Sequence, residues 1–79
     1  ARVQSAEQYA AAWREAAGPL AAKYTAVGSL RRGVLEVIVA NSTLMQELTF
    51  QKPTLIETLS RTLPNEGIEK LRFRLGPIE

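Results

Sequence analysis

Cysteine, histidine and aspartate are all missing from this chain of 79 residues. Without thiols, no disulfide framework or thiolate metal site can supplement a small core. Catalysis would need a glutamate pair, a lysine, or a serine lacking its usual base. No Gly-rich phosphate loop, metal-ligand cluster or paired-acid motif is present. An enzyme is therefore not expected, and no cofactor, metal or small-molecule substrate is assigned. Aromatics are few: Tyr9, Trp13, Tyr24, Phe50 and Phe73. No apolar run approaches the ~18 to 20 residues of a membrane span, and no signal-peptide pattern opens the chain. It begins at Ala1 rather than methionine, which suggests a trimmed fragment of a longer protein. Its lack of cysteine is consistent with the cytoplasm.

What remains is enough for one domain. A hydrophobic fraction of 46% is normal for a globular chain and too high for a disordered one. The length lies near the lower limit for folding on a hydrophobic core alone. Ten Lys and Arg against eight Glu give a net charge of +2. That is too mild to announce nucleic acid, so the placement of the charges must carry any such case.

The stretch Asn41 to Leu63 organises the chain. Leu44, Met45, Leu48, Leu55, Ile56, Leu59 and Leu63 recur at helical spacing. Asn41 and Ser42 are N-cap types, and Glu47 is placed to favour the helix dipole. Pro53 interrupts this pattern, because it cannot donate to the carbonyl four residues back and crowds the preceding turn. An unbroken helix would also reach roughly 33 Å, against ~20 Å for the neighbouring strands. The reading is two helices joined at a bend over Gln51 to Pro53.

Around them, Ser5 and Gln8 resemble a capping box opening a helix through Ala17. Tyr9, Trp13, Ala16 and Leu20 form its apolar stripe, and Gly18 and Pro19 stop it. One more short turn is allowed over Leu20 to Lys23. Trp13 reads as a core anchor, with a partner-facing hot spot as the alternative. Thr25 to Leu30 alternates weakly as a first strand, and Arg31, Arg32 and Gly33 make a turn. Val34 to Ala40 is a β-branched strand with Leu35, Val37 and Val39 on one face. Val34, Glu36 and Ile38 lie on the other. After a loop at Pro64 to Gly67, Ile68 to Leu75 is the last strand, with Leu71, Phe73 and Leu75 on one face. The expected fold is α+β: a three-stranded sheet with helices on one face, in the α-β-β-α-α-β order of a type II KH-like domain. Residues 1–79 form one domain, with 1–4 and 77–79 expected as loose ends. Which earlier strand the last one joins stays open.

The most informative residues are Lys70, Arg72 and Arg74. Spacing of two on a strand puts the three cations on one face, ~6.5 to 7 Å apart. That separation suits successive backbone phosphates, and Arg31 and Arg32 extend the patch. The competing reading is a solvated face whose cations discourage edge-to-edge pairing. RNA-reading KH domains carry a Gly-x-x-Gly loop between their central helices, whereas Thr49 to Thr54 (TFQKPT) holds no glycine. With few aromatics for stacking, any binding should be electrostatic and sequence-tolerant. Phe50 is either re-phased into the core by the bend before Pro53, or exposed. If exposed it is a candidate partner contact, together with Lys52.

Several pieces in order carry a family resemblance. They are Trp13 with Gly18 and Pro19, Tyr24 and Thr25, and Gly33-Val34-Leu35-Glu36-Val37. Ser42 leading to Gln46-Glu47-Leu48 follows, and Ile68 through Gly76 closes the set. The chain resembles the DciA family over roughly Tyr9 to Pro77. These are bacterial proteins that recruit or help load the DnaB-type replicative helicase. The resemblance implies a non-enzymatic KH-like domain acting at replication initiation, with the helicase and DNA, single-stranded or forked, as partners. Members often show a tryptophan just after the second strand, where this chain has Leu44 or Met45. They also commonly carry a basic or disordered extension outside this domain. A zinc ribbon, suggested for the family, fails here without cysteine. The alternatives are an RNA-binding KH-like module and a purely protein-interacting domain.

Overall fold

The structure, a computed structural model, describes residues 4–78, with side chains from residue 7 onward. Helix α1 runs Gln4–Ala17 and α2 Pro19–Lys23. Strands β1 (Thr25–Arg31) and β2 (Val34–Val39) follow. Helices α3 (Ser42–Phe50) and α4 (Lys52–Thr62) lead to β3 (Lys70–Leu75). This is the expected α+β architecture in KH-like order. The sheet runs β1-β2-β3, with β1 antiparallel and β3 parallel to β2. The last strand thus joins the second, the point the sequence leaves open.

The helices pack on the face that carries Leu35, Val37 and Val39, all fully buried, and Leu48, Leu55, Leu59, Ile68 and Leu71 complete the core. Burying each such side chain is worth about 1.5–3 kcal/mol. Trp13 is the largest of them, only 2% exposed, so it is a core anchor. Its indole Nε1 donates to Thr25 Oγ1 at 2.7 Å, and that hydroxyl donates to the Ala21 carbonyl at 3.0 Å. One threonine thereby satisfies the buried indole and an end carbonyl of α2, a requirement for polar atoms away from water.

Ser5, expected as a cap, already lies within α1, and its side chain is outside the described residues, as are residues 1–3 and 79. Leu20 is no part of the α1 stripe: it is 73% exposed. Gly18 takes φ +95° and Pro19 starts a separate helix, so the helical phase is lost between Ala17 and Leu20. From α1, Tyr9 reaches the loop after α4, its hydroxyl donating to Glu66 at 2.6 Å. That bond, with desolvation and the charge of Glu66 adding to it, pushes the Tyr9 phenol above its ordinary value.

The Asn41–Leu63 stretch is two helices, and the break between them is the single residue Gln51. Asn41 Oδ1 accepts from Leu44 N at 2.8 Å, an N-cap of α3. The Gln51 N–H bonds back to Glu47 and Leu48, while its carbonyl accepts from Leu55 N at 2.8 Å. Pro53 falls in the first turn of α4, where an N–H would have no intrahelical acceptor. Glu47 stands beyond the first turn of α3, too far along to serve its dipole. Phe50 is 80% exposed at the end of α3, which overturns its core reading. The kink at Gln51 redirects α4, not the turn that bears Phe50.

The strands differ from expectation at their ends. A register shift between Val27 and Leu30 puts Leu30 opposite Leu35 on the core side. This bulge is why the β1 sequence alternates weakly. Strand β3 starts at Lys70 rather than Ile68. Ile68 is buried before the strand begins, its carbonyl accepting from Ser60 Oγ at 2.9 Å. Leu75, the last residue of the strand, is 56% exposed.

Candidate nucleic-acid interface

Among the described residues, no helix covers the second face of the sheet. Reading across it, one row is Arg31, Val34 and Lys70, and the next pairs Glu36 with Arg72. A third is Ala26, Ile38 and Arg74. The β3 triplet therefore lines one edge of this face, as its alternation requires. The hairpin turn closes the end of the face.

That turn is a tight two-residue connection. Arg32 and Gly33 have φ of 51° and 80°, the pair of positive values that defines a type I′ hairpin. Gly33 also fixes the turn to the last strand. Its carbonyl accepts from Glu69 N at 2.7 Å and Lys70 N at 2.9 Å. A Cβ at Gly33 would stand 3.1 Å from the Gly67 carbonyl, a crowded approach that adds to the demand of its positive φ. Arg31 and Arg32, far from Lys70 in sequence, are held beside the start of β3 by backbone bonds. A shallow depression gathers Arg31, Arg32, Arg72 and Arg74 around Val34 and Glu36. Lys70 borders it through its pairing with Val34. All five cations predicted from the sequence lie on this face or its turn.

Arg32 sits there against its backbone preference. A left-handed conformation costs a non-glycine residue about 1–2 kcal/mol, and asparagine tolerates it better. Arg32→Asn should raise stability by about 0.5–1 kcal/mol, since Asn-Gly is the favoured type I′ pair. If this face holds single-stranded DNA, the same change should flatten the salt dependence of that binding by about 0.7 in log–log slope, because one phosphate fewer is neutralised. Urea melts and titrations at several salt concentrations test both. A less stable variant would show the turn to be unstrained, and an unchanged slope would place Arg32 outside the interface.

Glu36, which the sequence does not mark as a site residue, stands among these cations. Its Oε2 accepts from Arg74 Nη1 at 3.2 Å. Among the described residues, Arg72 and Lys70 make no ion pair. The sequence hint at this position is slight: a glutamate between Val34 and Ile38 on β2. Among the described residues, no aromatic ring of the sheet strands lies on this face. Phe73 is on the core side, in register with Val37, 6.2 Å from the Trp13 ring.

The two candidate partner contacts fall elsewhere and differ from each other in character. Phe50 projects from the helical layer. Lys52 is half-buried, its Nζ 5.6 Å from the centre of the Phe73 ring, a cation–π contact that occupies its charge. A larger cleft opens between α2 and α3, lined by Leu20, Tyr24, Leu44 and Leu48, with Glu47 its one charged group. Its chemistry suits no phosphate. Among the described residues no cluster of carboxylates could hold a metal ion, and no helix is long and apolar enough to cross a membrane.

A three-stranded α+β sheet with helices on one face and a bare cationic face on the other belongs, by its element order, to the KH-like class. The junction at Gln51, where a nucleic-acid-clamping KH domain has its glycines, has none. The chain belongs to the DciA family: the family model described as "Dna[CI] antecedent, DciA" matches residues 1–73. This family is associated with loading of the DnaB helicase. No curated protein matches the chain.

Proposed function

We propose that this domain is a non-enzymatic replication factor that holds DNA on its bare sheet face and helps recruit or load the DnaB-type replicative helicase. The observation that carries the DNA assignment is the Gly33 clamp. It joins Arg31 and Arg32 to Lys70, Arg72 and Arg74 on one surface. Phosphates are the ligands such a surface takes, and without rings to stack on, bases go unread. The family resemblance adds single strands and forked ends as the forms to expect, and on a phosphate-reading surface sequence matters little. The helicase assignment rests on family membership. Phe50, exposed in the helical layer on the other side of the sheet, is the assigned protein contact, so both partners can be held at once.

An RNA-binding role is the second reading, favoured by the KH-like order alone. Titrating single-stranded DNA and RNA of one sequence separates the two. The DNA reading predicts affinities within a few-fold of each other and steep weakening with salt, because 2′-hydroxyls go unread. A strong RNA preference would replace it. Co-sedimentation with the replicative helicase in the absence of nucleic acid tests the other half, and a helicase that pellets alone removes it.

A further inference from the structure

The ion pair between Glu36 and Arg74 is out of place for a surface meant to attract phosphate. An exposed pair of this kind contributes little to stability, and it spends one cation of the patch. The carboxylate is nevertheless held in position. Glu36 lies on the central strand between Val34 and Ile38, its side chain only 27% exposed. Its Oε1 lies over Gly28 in the β1 bulge, where a Cβ would stand 3.3 Å away and 3.2 Å from the Glu36 carbonyl. The missing side chain at Gly28 leaves the room that the carboxylate fills. Glu36 thus reaches from the bulge on one side to Arg74 on the other, across the sheet.

We propose that Glu36 is a built-in competitor for Arg74: its carboxylate holds the guanidinium until a DNA phosphate displaces it. The bare face then binds DNA more weakly, and neutralises one phosphate fewer, than its cations allow. This rests on the DNA reading given above and concerns how that site is tuned. A phosphate arriving at Arg74 must replace an anion already there, whereas one arriving at Arg72 or Lys70 displaces only solvent ions. Binding is kept weak and readily reversible. A carboxylate at the centre also steers the phosphates to the rim formed by β3 and the hairpin turn.

The test is a double-mutant cycle on the whole chain, read as fluorescence anisotropy of a labelled oligo-dT at several salt concentrations. The proteins are wild type, Glu36→Gln, Arg74→Ala and the double variant, each checked for folding by its melting curve. Glu36→Gln should bind about 5- to 10-fold tighter at low salt, with a slope steeper by about 0.7. Arg74→Ala should lose less than about 3-fold, because that cation is already engaged. In the Arg74→Ala background the gain from Glu36→Gln should nearly vanish. A Glu36→Gln variant no tighter than wild type overturns the proposal, as does a gain that survives in full without Arg74. Wild type that fails to bind, or binds without salt dependence, overturns the DNA reading itself and is seen before any variant is compared.

Discussion

Replacing Lys70, Arg72 and Arg74 together with alanine is expected to lower single-stranded DNA affinity by well over ~10-fold at low salt, with the fold intact. The log–log salt slope should fall by about 1.4 to 2, at roughly 0.7 for each single-strand phosphate neutralised. The lower figure applies because Arg74 is shared with Glu36. The fold should survive because the three side chains point away from the helices. Their strand is held through Leu71 and the ladder to β2, and neither is touched. Titration of the triple variant beside wild type, with circular dichroism melts of both, reads the two effects separately. Unchanged affinity in a folded variant would leave the cations as a solvated edge that only discourages strand pairing.

Trp13→Ala should cost about 3–5 kcal/mol, the usual range for removing a fully buried large aromatic. A domain of this size has only about 4–12 kcal/mol of stability to lose. The melting midpoint should therefore fall by more than ~15 °C. Two effects combine: a cavity opens beneath Phe73, and Thr25 Oγ1 is deprived of the indole N–H. Trp13→Phe separates them, because it restores much of the volume without the donor. Its cost should be nearer ~1–2 kcal/mol, since the Thr25 hydroxyl keeps its bond to the Ala21 carbonyl. A Trp13→Ala domain that melts like wild type would mean that the indole is not the anchor of α1 on the sheet.

How far these features can be read from sequence follows from the range of the interactions involved. Local periodicity is enough for β2, where β-branched residues alternate without interruption, and for the side of β3 that carries Lys70, Arg72 and Arg74. Pro53 announces its break because its effect is felt within one turn. The bulge at Gly28 hides the phase of β1, since two residues stand where one would alternate. Phe50 is ambiguous between core and surface because its fate depends on where within the Gln51 to Pro53 bend the kink falls, and Pro53 marks the bend without fixing that residue. The pairing of β3 with β2 and the Gly33 clamp join distant segments, so no local pattern encodes them. The Glu36–Arg74 pair is of the same kind: the register partner of Glu36 is Arg72, and only the geometry of the twisted sheet selects the diagonal neighbour.

The most direct test of the proposed DNA-binding face is a chemical-shift map of the isotope-labelled chain titrated with a short oligo-dT at low salt. Backbone amides from Arg31 to Glu36 and from Lys70 to Arg74 should move together as the oligonucleotide is added. Those of α3 and α4, from Ser42 to Thr62, should stay nearly still. Shifts concentrated along α3 and α4 and the Gln51 junction, with the sheet face unmoved, would contradict the account and return nucleic-acid contact to the helix pair.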